Sequence, residues 1–153
     1  MLTIDEDLRT FLEGGRAVAV ATRNADLVPS ARRGWGARVS EDGRSLEIFI
    51  DKSSSEASVA NLRDNGRIAV CFVDVNTLRS LQVKGRCVEV GEPAPDDWGW
   101  VDRHRAAFTE EVGTIGFPPG TIRHLWSLEV IKVRFVIDEF YDQTPGPEAG
   151  KAI

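Results

Sequence analysis

The sequence predicts an α+β fold in which a small antiparallel β-barrel of about six strands carries helices at its rim and ends. Three observations point there. The predicted elements run helix, three strands, helix, two strands, helix and one long strand. The apolar register breaks at Gly85-Arg86 inside a strand-like run. A chain of 153 residues has room for one hydrophobic core and hardly for two. With 42% hydrophobic and 28% charged residues, 14 Gly and 7 Pro, the composition excludes disordered, collagen-like and coiled-coil classes.

Each element has a local cause. Thr3-x-x-Glu6 reads as a capping box ahead of Ile4, Leu8, Phe11 and Leu12, whose spacing gives one apolar helix face, and Gly14-Gly15 stops it. Residues 17–22 are small and β-branched, a turn follows at Asn24-Ala25-Asp26, and 28–39 is extended, so the pair reads as a hairpin. Ser40-Glu41-Asp42-Gly43 turns the chain into 46–50, which alternates by two as a half-buried strand does. Ser53-x-x-Glu56 is a second capping box and Asn65-Gly66 ends that helix. Residues 68–73 are apolar on both faces and read as a central strand, returning through Asp74-Val75-Asn76-Thr77. Beyond it Leu81 and Val83 share one parity and Val88 and Val90 the other, which requires a bulge or bend near Gly85. Asp96 or Asp97 caps a third helix with Val101, Phe108 and Val112 on one side, Phe117-Pro118-Pro119-Gly120 is read as a rigid loop, and 125–141 forms the last strand. We divide the chain into a barrel domain, 1–142, and a Pro/Gly-rich tail, 143–153.

Charge and cysteine content narrow the function. Nineteen Lys+Arg against 24 Asp+Glu leave a net charge of -5, which lacks the global footprint of a nucleic-acid binder and leaves room only for a local basic patch. No apolar run reaches membrane-spanning length, and the acidic start MLTIDED is unlike a signal peptide, so a cytoplasmic protein with no membrane partner is expected. Cys71 and Cys87 are not set opposite each other by a hairpin turning near Asn76, and are expected as buried reduced thiols. His104 and His124 lack the spacing of helical metal ligands, and no metal site is expected.

Three segments can carry chemistry. Lys52, Ser53, Ser54 and Ser55 lead from a strand into a helix start, where free amides, hydroxyls and one ammonium suit a phosphate, although serines there serve equally as caps. In Arg32-Arg33-Gly34-Trp35-Gly36 the two arginines point to opposite faces, the glycines allow a flat ligand near the backbone, and Trp35 either stacks on a ring or packs in the core. In 79–85, Ser80, Gln82 and Lys84 share a polar face, and Gln82 can donate to and accept from a heterocycle edge. No constellation for a general acid, base or nucleophile is present.

Together, Pro29-x-x-Arg32, LEIFIDKSSSEASVANLRDNGRIAVCF and RSLQVKGRCVEV resemble, in order and spacing, the pyridoxamine 5′-phosphate oxidase-like family of FMN-binding split barrels, over roughly residues 11–90. The resemblance implies a homodimer of antiparallel split barrels with FMN in a groove at the interface and a small-molecule substrate. It implies FMN contacts from Arg32, from the backbone of Arg33, Gly34 and Trp35, and from Lys52 and Ser53 to Ser55 at the phosphate. Two departures stand out. Glu56-Ala57-Ser58 replaces the family's Ser-Arg-Lys, and Ser80 aligns with the family glutamine, leaving Gln82 two residues on. The expectation is a flavin oxidoreductase of unidentified substrate. Its alternatives are an F420-dependent reductase, a flavin- or haem-binding sensor without catalysis, and a structural dimer with an empty groove.

Overall fold

The computed structural model describes residues 2–153 and contains α1 (Glu6–Leu12), β1 (Ala17–Arg23), β2 (Pro29–Val39), β3 (Ser45–Asp51), α2 (Glu56–Asn65), β4 (Arg67–Val73), β5 (Ser80–Gly91), α3 (Asp97–Gly113), α4 (Pro119–Arg123), β6 (Val130–Asp142) and β7 (Lys151–Ala152). The strands are antiparallel in the order β3-β2-β1-β4-β5-β6-β7, and β6 also pairs with β3, so six strands close into a barrel. The predicted bend is there: the β5/β6 register shifts between Lys84 and Gly85 and again between Cys87 and Glu89. Gly85 permits it, since a Cβ would lie 2.1 Å from the Val136 carbonyl oxygen.

Alternation divides the strands into two faces. Val18, Val20, Leu46, Ile48, Ile50, Val70, Phe72, Val83, Val133 and Phe135 fill the interior. α1 closes one end with Phe11 and Leu12, and Arg9 donates to the carbonyls of Val39 and Ser40. α2 closes the other end with Leu62, and Asn61 donates to the Thr22 hydroxyl at 3.0 Å. A second core lies outside the barrel, where Trp35 and Phe49 project outward and are covered by Val101, Phe108 and Val112 of α3 and Ile122 of α4. Asp97 secures this layer. Burial raises the carboxyl's pKa, but hydrogen bonds from Lys132 (3.0 Å), the Ala94 amide (2.7 Å) and Arg38 (2.7 Å) outweigh it and keep the group below the usual range.

Several boundaries differ from the sequence reading. Neither capping box forms. Asp5 caps α1 through the Leu8 amide, and Ser55, at the N-cap of α2, makes no side-chain capping bond. Asp96 holds the α3 N-cap without a side-chain bond, and the neighbouring Asp97 carboxylate accepts from the Ala94 amide. The 117–120 loop contains the start of α4, with Pro119 in its first turn where a missing N–H costs nothing. The final strand begins at Val130 rather than 125. Both thiols are free and half-buried, and Cys71 pairs with Gln82 rather than with Cys87. The tail returns to the sheet as β7, with the Gly150 amide bonded to the Asp142 carbonyl at 2.7 Å. Among the described residues no helix is long and apolar enough to cross a membrane.

Two measurements check this architecture. Gly85→Ala must displace Val136 or straighten β5, and is expected to cost about 2–3 kcal/mol and lower Tm by roughly 5–10 °C. His104 sits in the second core, stacked on Phe108 with ring centroids 6.1 Å apart and edge-on to Trp35. Burial pushes its pKa from 6.5 to about 4, against a backbone hydrogen bond with Gly14. The unfolded chain therefore takes up this proton first as pH falls. Stability is expected to drop by about 3 kcal/mol between pH 6.5 and about 4. His104→Phe keeps the ring stack and should remove that part of the slope in denaturant titrations.

Candidate functional site

Small side chains shape the outer face. Ala19 and Ala21 of β1, Ala31 of β2, and Ala69, Cys71 and Val73 of β4 point away from the packed interior and floor a shallow trough, which ends at Ala17, where the second core under α3 begins. Strand register places chemistry along one row across it. Arg33 pairs with Ala19, Ala19 with Cys71, Cys71 with Gln82, and Gln82 with Tyr141. Arg33 and Gln82 thus face each other over two small residues, three strand spacings or about 14 Å apart. Gln82 is already tied: its amide nitrogen donates to Cys71 Sγ at 3.6 Å, and its oxygen accepts from Gln143 of the tail at 3.3 Å.

The loop after β3 lies at the border of this face. Gly34 pairs with Ile50, so the neighbouring Asp51 comes beside Arg33, and both line one cavity of about 460 Å³ with Ala19 and Cys71. Lys52 leaves the strand with its amide bonded to the Glu129 carbonyl, and its ammonium is 2.9 Å from Glu92. The hydrogen bond to Glu92 raises the lysine's pKa above its ordinary value. Ser53 and Ser54 are exposed, Ser55 is buried, and Ser54 adopts a left-handed φ of 56°. That turn aims the Ser54 carbonyl at Arg32, whose guanidinium donates to it while Nε stays buried without a protein partner. Lys52, Ser53, Ser54 and Glu56 line a cavity of about 550 Å³ with His124 and Trp126 on its far wall.

The structure sorts the sequence candidates. Arg32, paired with Val20, and Arg33, paired with Ala19, take opposite sides of β2 as strand parity requires. Lys52, Ser53 and Ser54 line the cavity at the α2 entry; Arg32 reaches that loop through the Ser54 carbonyl and also borders the cavity of Arg33, which shares the outer row with Gln82. Trp35 is 1% exposed beneath α3, 6.1 Å from Phe108 and edge-on to it, which makes its indole a packing group rather than a ring-stacking surface. Its glycine neighbours do not open the backbone to a ligand. A Cβ on Gly34 would strike Val18 at 2.6 Å, and Gly36 (φ 130°) lies against His104, Phe49 and Trp100. Sequence reasoning missed Ala19 and Cys71 as the floor, Asp51 as the acid beside Arg33, and Glu92 and Gln143 as partners of the expected ligand groups. Strand parity from Arg33 would have found Ala19; no local signal marked Glu92.

Comparison with known proteins bears on this arrangement. The family model described as pyridoxamine 5′-phosphate oxidase matches residues 4–137. Among solved structures, HupZ of Group A Streptococcus superposes with TM-score 0.57 at 16% identity, over 96% of this chain and 99% of that one. An F420 reductase gives 0.59 at 16% identity, over 90% and 98%. An FMN-binding protein from Syntrophomonas wolfei subsp. wolfei gives 0.51 at 9% identity, over 86% and 80%. At these identities the likeness is one of fold. No curated protein matches the sequence. The family match spans the barrel from the first residues of the α1 cap to the middle of β6, and the closed six-strand topology agrees with it: the chain belongs to the pyridoxamine 5′-phosphate oxidase-like family of split barrels.

Proposed function

We propose that the protein is an FMN-binding oxidoreductase that works as a cytoplasmic homodimer on a small-molecule substrate. The observation that carries this reading is the placement of Arg32, Lys52 and the hydroxyls of Ser53 and Ser54 around an α2 N-terminus without a side-chain cap, at the border of a flat, small-residue floor. The donor set fits a phosphate. Arg32 has a buried Nε without a protein partner, Lys52 is charged, and the positive end of a ten-residue helix adds to both. Asp51 and Glu56 temper this attraction, and favour loose rather than tight retention of an anion.

Bound FMN would supply hydride or electron transfer. The chain's own groups bind and orient. Arg32 and Lys52 would neutralise the phosphate charge, Ala19 and Cys71 would leave room for a flat ring, and Gln82, now bonded to Gln143, would offer its amide to a heterocycle edge. A second copy over the Ala19 and Cys71 part of the floor would exclude water from one side of such a slot. A second reading, a flavin-binding sensor without turnover, is favoured by the commitment of Lys52 to Glu92 and of Arg32 to the Ser54 carbonyl. Redox turnover with NAD(P)H in the presence of stoichiometric flavin supports the enzyme; bound flavin without turnover supports the sensor.

Purified protein is expected to be yellow or, when colourless, to bind added FMN saturably and keep it through gel filtration, while preferential binding of F420 or haem to colourless protein overturns the FMN assignment. Lys52→Ala and Arg32→Ala should each weaken FMN by about 10- to 100-fold and leave riboflavin, which lacks the phosphate, nearly unaffected. Ala19→Glu places a charge in the middle of the exposed floor. It should leave the thermal transition near that of the parent, shift the particle mass in light scattering from dimer to monomer, and abolish FMN binding.

A further inference from the structure

The far end of the outer face holds a feature that the flavin reading does not use. Arg67 of β4 pairs directly with Arg86 of β5, and continuing the β1/β4 register past Ala21 and Ala69 brings Arg23 alongside Arg67. Three arginines therefore stand in a row across neighbouring strands, and Lys84 joins them one residue pair away, opposite Ala69. Like charges facing each other across a ladder destabilise it. Compensation from the protein is thin. Arg86 approaches Asp138 only to 3.9 Å, Arg23 donates to the carbonyl of its own neighbour Asn24, and Arg67 has no ion-pair partner among the described residues. Lys84 lies over the Tyr141 ring at 5.0 Å, beside Glu139. Such a row in a chain of net charge -5 calls for an anion from outside.

The row borders a cavity of about 360 Å³ whose floor is apolar, from Ala21, Ala69, Pro29 and Gly85, with Arg23, Arg67 and Lys84 on its walls. That volume suits a small ligand, and the small floor residues suit a flat one. We propose that this end of the barrel binds a phosphorylated aromatic small molecule of the nucleotide class, its phosphates on Arg23, Arg67 and Lys84 and its ring over the Ala21/Ala69 floor. Two phosphates match the spread of charge along the row better than one. The rim acids Asp138 and Glu139 stand on the β6 side and limit the site to ligands whose charge is confined to one end. The site is separate from the Arg32 and Lys52 loop and stands whether or not FMN binds there.

Calorimetric titration of the full chain with ADP, with inorganic pyrophosphate and with adenosine tests it. ADP is expected to bind saturably, pyrophosphate more weakly and adenosine least. The Arg23→Ala/Arg67→Ala variant should lose about tenfold or more of the ADP affinity, while Arg44→Ala, in a turn away from this face, should lose none. Because the arginine row is self-repelling, the double variant should also melt no lower than the parent, and pyrophosphate should raise Tm of the parent but not of the variant. ADP affinity unchanged in the double variant, pyrophosphate binding as tightly as ADP, no saturable binding in the millimolar range, or an oligonucleotide binding more tightly than ADP would each overturn the proposal.

Discussion

Closure of the sheet by one strand governs this molecule. β6 is hydrogen-bonded on both edges, to β3 over Val130–Val136 and to β5 over 132–142, and it can serve both only because β5 changes course at Gly85. An L side chain there would collide with the Val136 carbonyl, so the bend depends on a missing Cβ. Once the sheet is closed, every strand has an inside and an outside, and the alternation written into each segment acquires a meaning.

The outside is then divided between two uses. Over β2 and β3 it carries Trp35 and Phe49 and is roofed by α3, which the Asp97, Arg38 and Lys132 cluster fastens to the barrel. Over β1 and β4, from Ala19 and Cys71 onward, it carries small side chains that line an open cavity, and only Ala17 at its edge packs against the second core. A surface of small side chains on a rigid sheet can be approached closely by a flat molecule or by a second sheet, whereas the Trp35 side of the same strand cannot. The roof thus decides which part of β2 is structural and which part faces a ligand.

Electrostatics at the phosphate loop are balanced rather than strongly positive. Lys52 faces Glu92, Arg32 faces a carbonyl, and Asp51 shares the outer row with Arg33. An arriving anion must compete with these internal partners, which sets a modest ceiling on affinity and makes the β5–α3 linker, through Glu92, part of the response. The opposite end of the trough has the contrary problem, with an excess of arginine and few acids to meet it.

The sequence by itself determined the order of the six barrel strands and the first three helices, the bend at Gly85 and the opposite facing of Arg32 and Arg33. These are local matters of parity, turn chemistry and apolar period, and each is read from neighbouring residues. Family resemblance extended the reading to a split barrel, which the fold bears out. The helix caps were misread because Thr3 and Ser53 match a motif whose geometry the chain does not adopt: Asp5 and Ser55 stand closer to the first helical turn. The burial of Trp35 and the meeting of Lys52 with Glu92 or Gln82 with Gln143 were decided only by the tertiary structure. These contacts join segments 40 to 73 residues apart in the chain, brought together by the closing of the barrel and the docking of α3, and no local pattern encodes which distant side chain will meet a given strand face.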